Sequence, residues 1–198
     1  MMRTVPWSAG TWLAQPVSAA ERDSDLVVVA RTGSDLWRTT SYGYDHDDAH
    51  ALLAPLPDPG AVEVSFRADL ADLYDQAGLL LRVDATTWIK AGVERTDGAI
   101  HVGAVVTREL SDWSLAPVPD WDGQEVTVRA SRAGDAVTVR ARAGGGAWRT
   151  LRLAPFPPGA EVLAGPMCCS PIGPGATVRF TRFAVGPPDT GIHDEPPG

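Results

Sequence analysis

Along most of this chain apolar and polar residues alternate singly, and no stretch of helix length holds a 3.6-residue period. Ala61-Val62-Glu63-Val64-Ser65-Phe66 turns Val62, Val64 and Phe66 to one side and Glu63 and Ser65 to the other, which is the pattern of a strand with one buried face. The run Leu26 to Ala30 is continuously apolar and stops at the turn Thr32-Gly33-Ser34-Asp35, so it reads as a fully buried strand. Further strands are predicted at 77–83, 87–95, 100–107, 126–131, 136–143, 147–153 and 176–185. Thr96-Asp97-Gly98 and Arg132-Ala133-Gly134-Asp135 supply the positive φ angles that tight hairpins need, so neighbouring strands pair antiparallel. About ten such strands pack most economically as two face-to-face sheets.

Composition agrees with this and sets limits. Gly 20 and Pro 17 in 198 residues are more turn residues than a helical bundle tolerates, and the length suits one domain. We expect a single sandwich domain over residues 1–186 and a flexible, Pro/Gly-rich acidic tail over 187–198. A net charge of −8 argues against nucleic acid and anionic membrane as partners. No apolar run is long enough for a leader or a bilayer span, so a cytoplasmic location is expected. The two cysteines, Cys168 and Cys169, are adjacent, where a bridge would be strained, and read as small residues in a strand.

The candidate chemistry lies on one face of two strands. In 87–95 the apolar set Ile89, Ala91 and Val93 leaves Trp88, Lys90, Gly92 and Glu94 on the opposite side. In 76–83 the corresponding side carries Gln76, Gly78, Leu80 and Arg82, and in the next strand it carries His101, Gly103, Val105 and Thr107. An aromatic plate, a cation, a glycine gap and a carboxylate in a row suit a sugar or another small polar ligand, by stacking and hydrogen bonding. Lys90 is also the sole lysine among seventeen basic residues, which marks a position where an ammonium rather than a guanidinium is wanted; a surface partner for Glu94 or Asp112 is the plainer alternative. The segments 126–129 and 136–142 carry only Thr and Arg on their polar side, as a solvated outer sheet would.

Tyr74-Asp75-Gln76-Ala77-Gly78-Leu79, Trp88-Ile89-Lys90-Ala91-Gly92-Val93-Glu94, Val106-Thr107 and Ser111-Asp112-Trp113-Ser114, with Leu36-Trp37, Ser170-Pro171 and Val178-Arg179-Phe180, together resemble the regulation-of-enolase-protein-like domains of unknown function. Those domains belong to the concanavalin A-like lectin/glucanase superfamily. The resemblance implies an all-β, concanavalin A-like jelly-roll β-sandwich of two antiparallel sheets, whose concave sheet presents Gln76, Trp88, Lys90 and Glu94. Related domains are appended to glycoside hydrolases, which makes carbohydrate the expected ligand class. The Glu-x-Asp-x-Glu strand of the superfamily's glucanases is missing, because Glu94 and Asp97 are spaced i, i+3 at a turn.

The loop Ser41 to His50 concentrates Tyr42, Tyr44, His46 and His50 with Asp45, Asp47 and Asp48. It offers oxygen and imidazole ligands, yet lacks the downstream Gly and Glu of an EF-hand loop, so we expect a rim or lid rather than a metal site. Ser111 and Ser114 lack a Gly-x-Ser-x-Gly elbow, and Ser111-Asp112-Trp113-Ser114 reads as a loop. The leading expectation is binding of a carbohydrate or similar polyhydroxylated small molecule by Tyr44, His46, Gln76, Arg82, Trp88, Lys90, Glu94 and Asp112, with no cofactor. Two alternatives stand beside it. One is an enzyme using Lys90, Glu94 and His101 as acid and base for isomerisation, elimination or cyclisation; the other is a regulatory protein that docks on a metabolic enzyme.

Overall fold

The computed structural model describes residues 1–196. In chain order the strands are β1 (Arg3–Thr4), β2 (Thr11–Trp12), β3 (Ser18–Arg22), β4 (Asp25–Val29), β5 (Leu36–Arg38), β6 (Asp45–Asp47), β7 (His50–Leu56), β8 (Gly60–Asp69) and β9 (Gln76–Arg82). They continue as β10 (Thr87–Thr96), β11 (Ala99–Arg108), β12 (Leu110–Pro117), β13 (Val126–Ala133), β14 (Ala136–Ala143), β15 (Arg149–Pro155), β16 (Val162–Cys169) and β17 (Thr177–Gly186). Two large sheets result. One runs β15-β14-β13-β8-β17-β4-β3, with β1 on β17; the other runs β12-β11-β10-β9-β16-β7-β2. All of these strand pairings are antiparallel, giving the sandwich that the alternation implied.

The main core fills the space between the sheets. Val62, Val64 and Phe66 of β8 and Val126, Val128 and Ala130 of β13 meet Ala77, Leu79 and Leu81 of β9 and Ile89, Ala91 and Val93 of β10. The period-2 assignment of faces therefore holds residue by residue for these strands. The prediction missed β3, β7, β12 and the short β1 and β2, and of β16 it recognised only Cys168 and Cys169 as strand residues. Ser111-Asp112-Trp113-Ser114 is not a loop but part of β12, an edge strand whose mixed polar pattern hid its pairing with β11. The segment read as a polar loop holds β6, which pairs with β5 to form a small hairpin.

Two corrections concern the eight-stranded sheet. Its outer face is not simply solvated, since Arg129 is fully buried and Arg140 nearly so. The segment expected to trail away covers it: Asp189 lies between Arg129 and Arg140, and its backbone N–H donates to Ser131 Oγ at 2.8 Å. Arg140 Nη2 donates to the Ile192 carbonyl at 2.6 Å, so the tail is held at least that far. Residues 197–198 of the predicted tail lie outside the described residues.

Candidate functional site

Beyond the main core, the other face of the seven-stranded sheet carries a second apolar cluster. Leu36, Trp37, Ala49, Ala51, Leu53, Leu80, Trp88, Val105, Met167 and Cys169 pack there beneath the β5–β6 hairpin. Sequence pattern explains the layer: Leu80, Trp88 and Val105 occupy alternate positions of β9, β10 and β11 that the core does not use. The hairpin is pinned to the sheet by Arg38, whose backbone N–H donates to Ser111 Oγ at 2.9 Å and whose Nε donates to the Glu109 carbonyl at 2.9 Å.

Glycine shapes the floor beside this cluster. Gly78, Gly92 and Gly103 are cross-strand neighbours on β9, β10 and β11. A Cβ at Gly92 would lie 2.0 Å from the Ala77 carbonyl oxygen, and one at Gly103 2.0 Å from that of Ser114. Only glycine permits this approach, and it leaves a trough with Lys90 at one end and Glu94 at the other.

Above the trough lies a hollow of about 360 Å³, counting its open mouth, lined by Asp35, Gln76, Lys90 and Glu94 and by Trp37, Tyr42, Tyr44, Tyr74 and Trp113. The rings form a collar. Trp37 meets Tyr42 and Trp113 edge-on at 5.5 and 6.2 Å between centroids, Tyr42 stacks on Tyr44 at 5.6 Å, and Tyr74 meets Trp113 at 6.5 Å. A hydrogen bond with Tyr42, followed by burial, holds the Tyr74 phenol above the usual tyrosine pKa.

The charged groups below the collar are tightly specified. Lys90 Nζ lies 3.0 Å from Asp35 Oδ1, with both side chains largely buried. The same oxygen accepts from Leu36 N–H at 2.7 Å and from Gln76 Nε2 at 3.4 Å. Burial, the largest single influence, opposes the Lys90 ammonium, but Asp35, Cys169 and Glu94 together outweigh it, so its pKa stands above the ordinary lysine value. Asp35 is itself placed by a buried relay: Ser170 Oγ donates to Asp75 Oδ1 at 2.7 Å, and Ser170 N–H donates to Ser34 Oγ at 3.1 Å, next to Asp35. Sequence reasoning placed Tyr42 and Tyr44 at the rim but missed Asp35, Trp37, Tyr74 and Trp113. Asp35 was read as a turn residue, and nothing in a single sequence links it to a lysine 55 positions away.

Glu94 is 8% exposed, and its Oε1 has no hydrogen-bond partner. Burial pushes its pKa up to about 7; Lys90 pulls it down, and Asp35 adds to the rise. The consequence for stability has a definite sign. The folded carboxyl keeps its proton to about pH 7, whereas an unfolded glutamate releases it near 4.5, so stability should fall as pH rises through that window. The loss at pH 8 is about 3 kcal/mol. Urea unfolding of the wild type and of Glu94→Gln should therefore agree near pH 4, with the variant more stable at pH 8. Parallel curves at both values would refute the shift.

The other predicted site residues are distributed as follows. Gln76, Lys90, Glu94 and Tyr44 line the hollow. Trp88 lies on the expected face, but it is fully buried within the second cluster and has no open side on which to stack a ligand. Arg82 is at the far end of β9, its two Nη groups held by both oxygens of Asp47 at 2.6 and 2.7 Å. His46 packs edge-on against Tyr44 at 5.1 Å, outside the lining. His101 stands opposite Glu94 across the strand pair, with Nδ1 3.3 Å from the Ala99 carbonyl, and also lies outside the lining. Asp112 pairs in register with the core residue Val106, so it faces away from Glu94 and binds Arg152 of the other sheet; a Glu94–Asp112 carboxylate pair is excluded. In the loop considered for a metal, Asp45, Asp47 and Asp48 are engaged by Arg38, Arg82 and Arg31, and His50 accepts from Arg31 N–H at 2.9 Å. Among the described residues no three His, Cys, Asp or Glu side chains gather as a metal set.

A family model described as protein of unknown function (DUF1349) matches residues 12–188. The chain belongs to that family. It is 32% identical over 188 residues to Regulation of enolase protein 1 of Saccharomyces cerevisiae, covering 94% of each chain. A solved structure of a functionally unknown protein from the same yeast superposes with a TM-score of 0.87 at 31% identity, over 93% of this chain and 99% of that one. More distant structures share the fold alone. A xylan β-1,4-xylosidase from Bacillus halodurans gives a TM-score of 0.72 at 13% identity over 91% of this chain and 38% of the enzyme. Lectin I-B4 of Griffonia simplicifolia gives 0.56 at 14% identity over 90% and 93%. Both neighbours share the two-sheet antiparallel sandwich. No helix among the described residues is long and apolar enough to cross a membrane.

Proposed function

We propose that this protein binds a small polyhydroxylated ligand, a single sugar unit or a similar polyol, in the hollow under the aromatic collar. One observation carries the proposal: a buried carboxyl oxygen without a partner, Glu94 Oε1, lines a hollow that also holds the Lys90 ammonium and several aromatic rings. A sugar matches each part. Its hydroxyls donate to Glu94 and accept from Lys90, and its C–H faces pack against rings. The lectin and xylosidase neighbours support the ligand class by fold. Titration calorimetry against a panel of monosaccharides and short oligosaccharides tests it. At pH 8, where Glu94 is ionised, Lys90→Ala and Glu94→Gln should each weaken binding about tenfold or more, since each removes a charged partner from a buried hydrogen bond. Absence of binding across the panel, or affinity unchanged in both variants, would reject the site.

A second reading draws on the rim. Tyr42, Tyr44 and Trp113 are 47%, 46% and 37% exposed, a cluster of aromatic area suited to a protein surface, and the yeast relative's name speaks of regulation of an enzyme. Under this reading Tyr42→Ala with Tyr44→Ala should abolish a stoichiometric complex recovered from lysate, and recovery of none by the wild type would count against it.

A further inference from the structure

Glu94 has the one carboxyl oxygen among the described residues that is both buried and unpartnered. Simple binding does not require that arrangement, because a permanently ionised Asp or Glu held by protein donors would grip a hydroxyl as well. Lys90, by contrast, is fixed and charged. Asp35 takes one of its three N–H donors, and the others are free for a ligand oxygen. Lys90 and Glu94 stand at i and i+4 on one face of β10, and Gly92 between them, with Gly78 and Gly103 alongside, puts no side chain in the gap. A proton acceptor and a fixed cation therefore face the same small space within an aromatic collar.

We propose that the hollow interconverts the aldose and ketose forms of a small sugar, with Glu94 carrying a proton between neighbouring carbons and the Lys90 ammonium holding the oxygen that gains charge. The proposal rests on the sugar-binding reading above. In the step, the Glu94 carboxylate removes the proton from the hydroxyl-bearing carbon next to the carbonyl. That C–H pair becomes a carbon–carbon double bond, and the carbonyl π pair moves to oxygen, which Lys90 stabilises. The neighbouring hydroxyl then passes its proton to that oxygen across the ammonium. Its own oxygen forms the new carbonyl, and Glu94 returns its proton to the former carbonyl carbon. Atoms and electrons balance within the sugar, and no co-reactant is needed. Asp35 is a positioning residue that orients Lys90 and keeps it protonated. Hydrolysis by two carboxyls fits less well, because Asp35 Oδ1 is already occupied by Lys90, Gln76 and Leu36 N–H.

The test uses the full chain in D₂O with each aldose that binds by calorimetry, drawn from D-xylose, L-arabinose, D-glucose and D-galactose, followed by NMR for carbon-bound deuterium and for ketose. The wild type should introduce deuterium and form ketose, and Glu94→Gln should slow both by on the order of 100-fold or more while keeping its circular dichroism spectrum. The wild-type rate should rise with pH through the range where Glu94 loses its proton. The groups facing Glu94 are Lys90 on its own strand, Asp35 before β5, Tyr74 and Gln76 at the start of β9, and His101 on β11. A sugar that binds yet gains no deuterium above the protein-free rate overturns this proposal and leaves the binding reading intact. Exchange undiminished in Glu94→Gln also overturns it. If no sugar binds, both fall together.

Discussion

Replacing Arg129 with alanine is expected to lower stability by about 3 to 5 kcal/mol, because it removes the buried cation shared by two carboxylates, Glu63 and Asp189, and leaves each with a single arginine, Arg182 or Arg140. Arg129 is fully buried on the outer face of the eight-stranded sheet; Nη1 lies 2.8 Å from Glu63 Oε1, Nε 2.8 Å from Asp189 Oδ1, and Nη2 donates to the Pro187 carbonyl at 3.1 Å. Asp189 also pairs with Arg140, whose pKa is drawn below the arginine norm by burial and by the neighbouring Arg129. Removing the shared cation leaves Glu63 with only the half-exposed Arg182 at 3.5 Å and Asp189 with only Arg140, which loosens the hold on the tail. For a chain of this length the melting temperature should drop by about 6 to 20 °C. Amide exchange should accelerate around 187–192. As a control, Arg179→Ala breaks a half-exposed pair with Asp25 and should change stability by less than about 1 kcal/mol. If the two variants melt within a degree of one another, the buried network contributes no more than a surface pair.

Trp88→Ala should be as damaging, at about 3 to 5 kcal/mol, for a different reason. The indole is fully buried among Leu36, Leu53, Leu80 and Met167, under the hairpin that carries Trp37 over the hollow. Its loss leaves a cavity in the layer that sets the height of the collar, so both stability and ligand affinity should fall. Trp88→Phe distinguishes support from contact. It keeps most of the volume and removes an indole N–H that has no partner, so affinity should stay within about twofold of wild type. A large loss of affinity in Trp88→Phe, with stability preserved, would restore a direct stacking role.

Much of the fold was legible in the sequence because strand alternation is a local signal. Glu63 and Ser65 against Val62, Val64 and Phe66 fix which way β8 faces, and the hairpin glycines fix antiparallel order. Where the pattern is not local the prediction failed: β12 alternates poorly because it is an edge, and β5 and β6 are three residues each. The candidate site was half legible. Gln76, Lys90 and Glu94 share a face by period two, and they do line one hollow. Trp88 shares that face too, yet alternation states only which side of a sheet a residue takes. It is silent on whether a second layer lies above.

The sequence by itself therefore determined the sandwich, the core-facing residues and the row of Gln76, Lys90 and Glu94, since each follows from backbone geometry within a strand. Tertiary structure alone decided that Asp35 meets Lys90, that the β5–β6 hairpin buries Trp88 and roofs the trough, and that Asp189 closes over Arg129. Asp35 lies 55 positions from Lys90 and Asp189 60 positions from Arg129, and one chain's pattern does not encode which distant charge will share a desolvated space. The burial that raises the Glu94 pKa is a property of that assembled space and of no single segment.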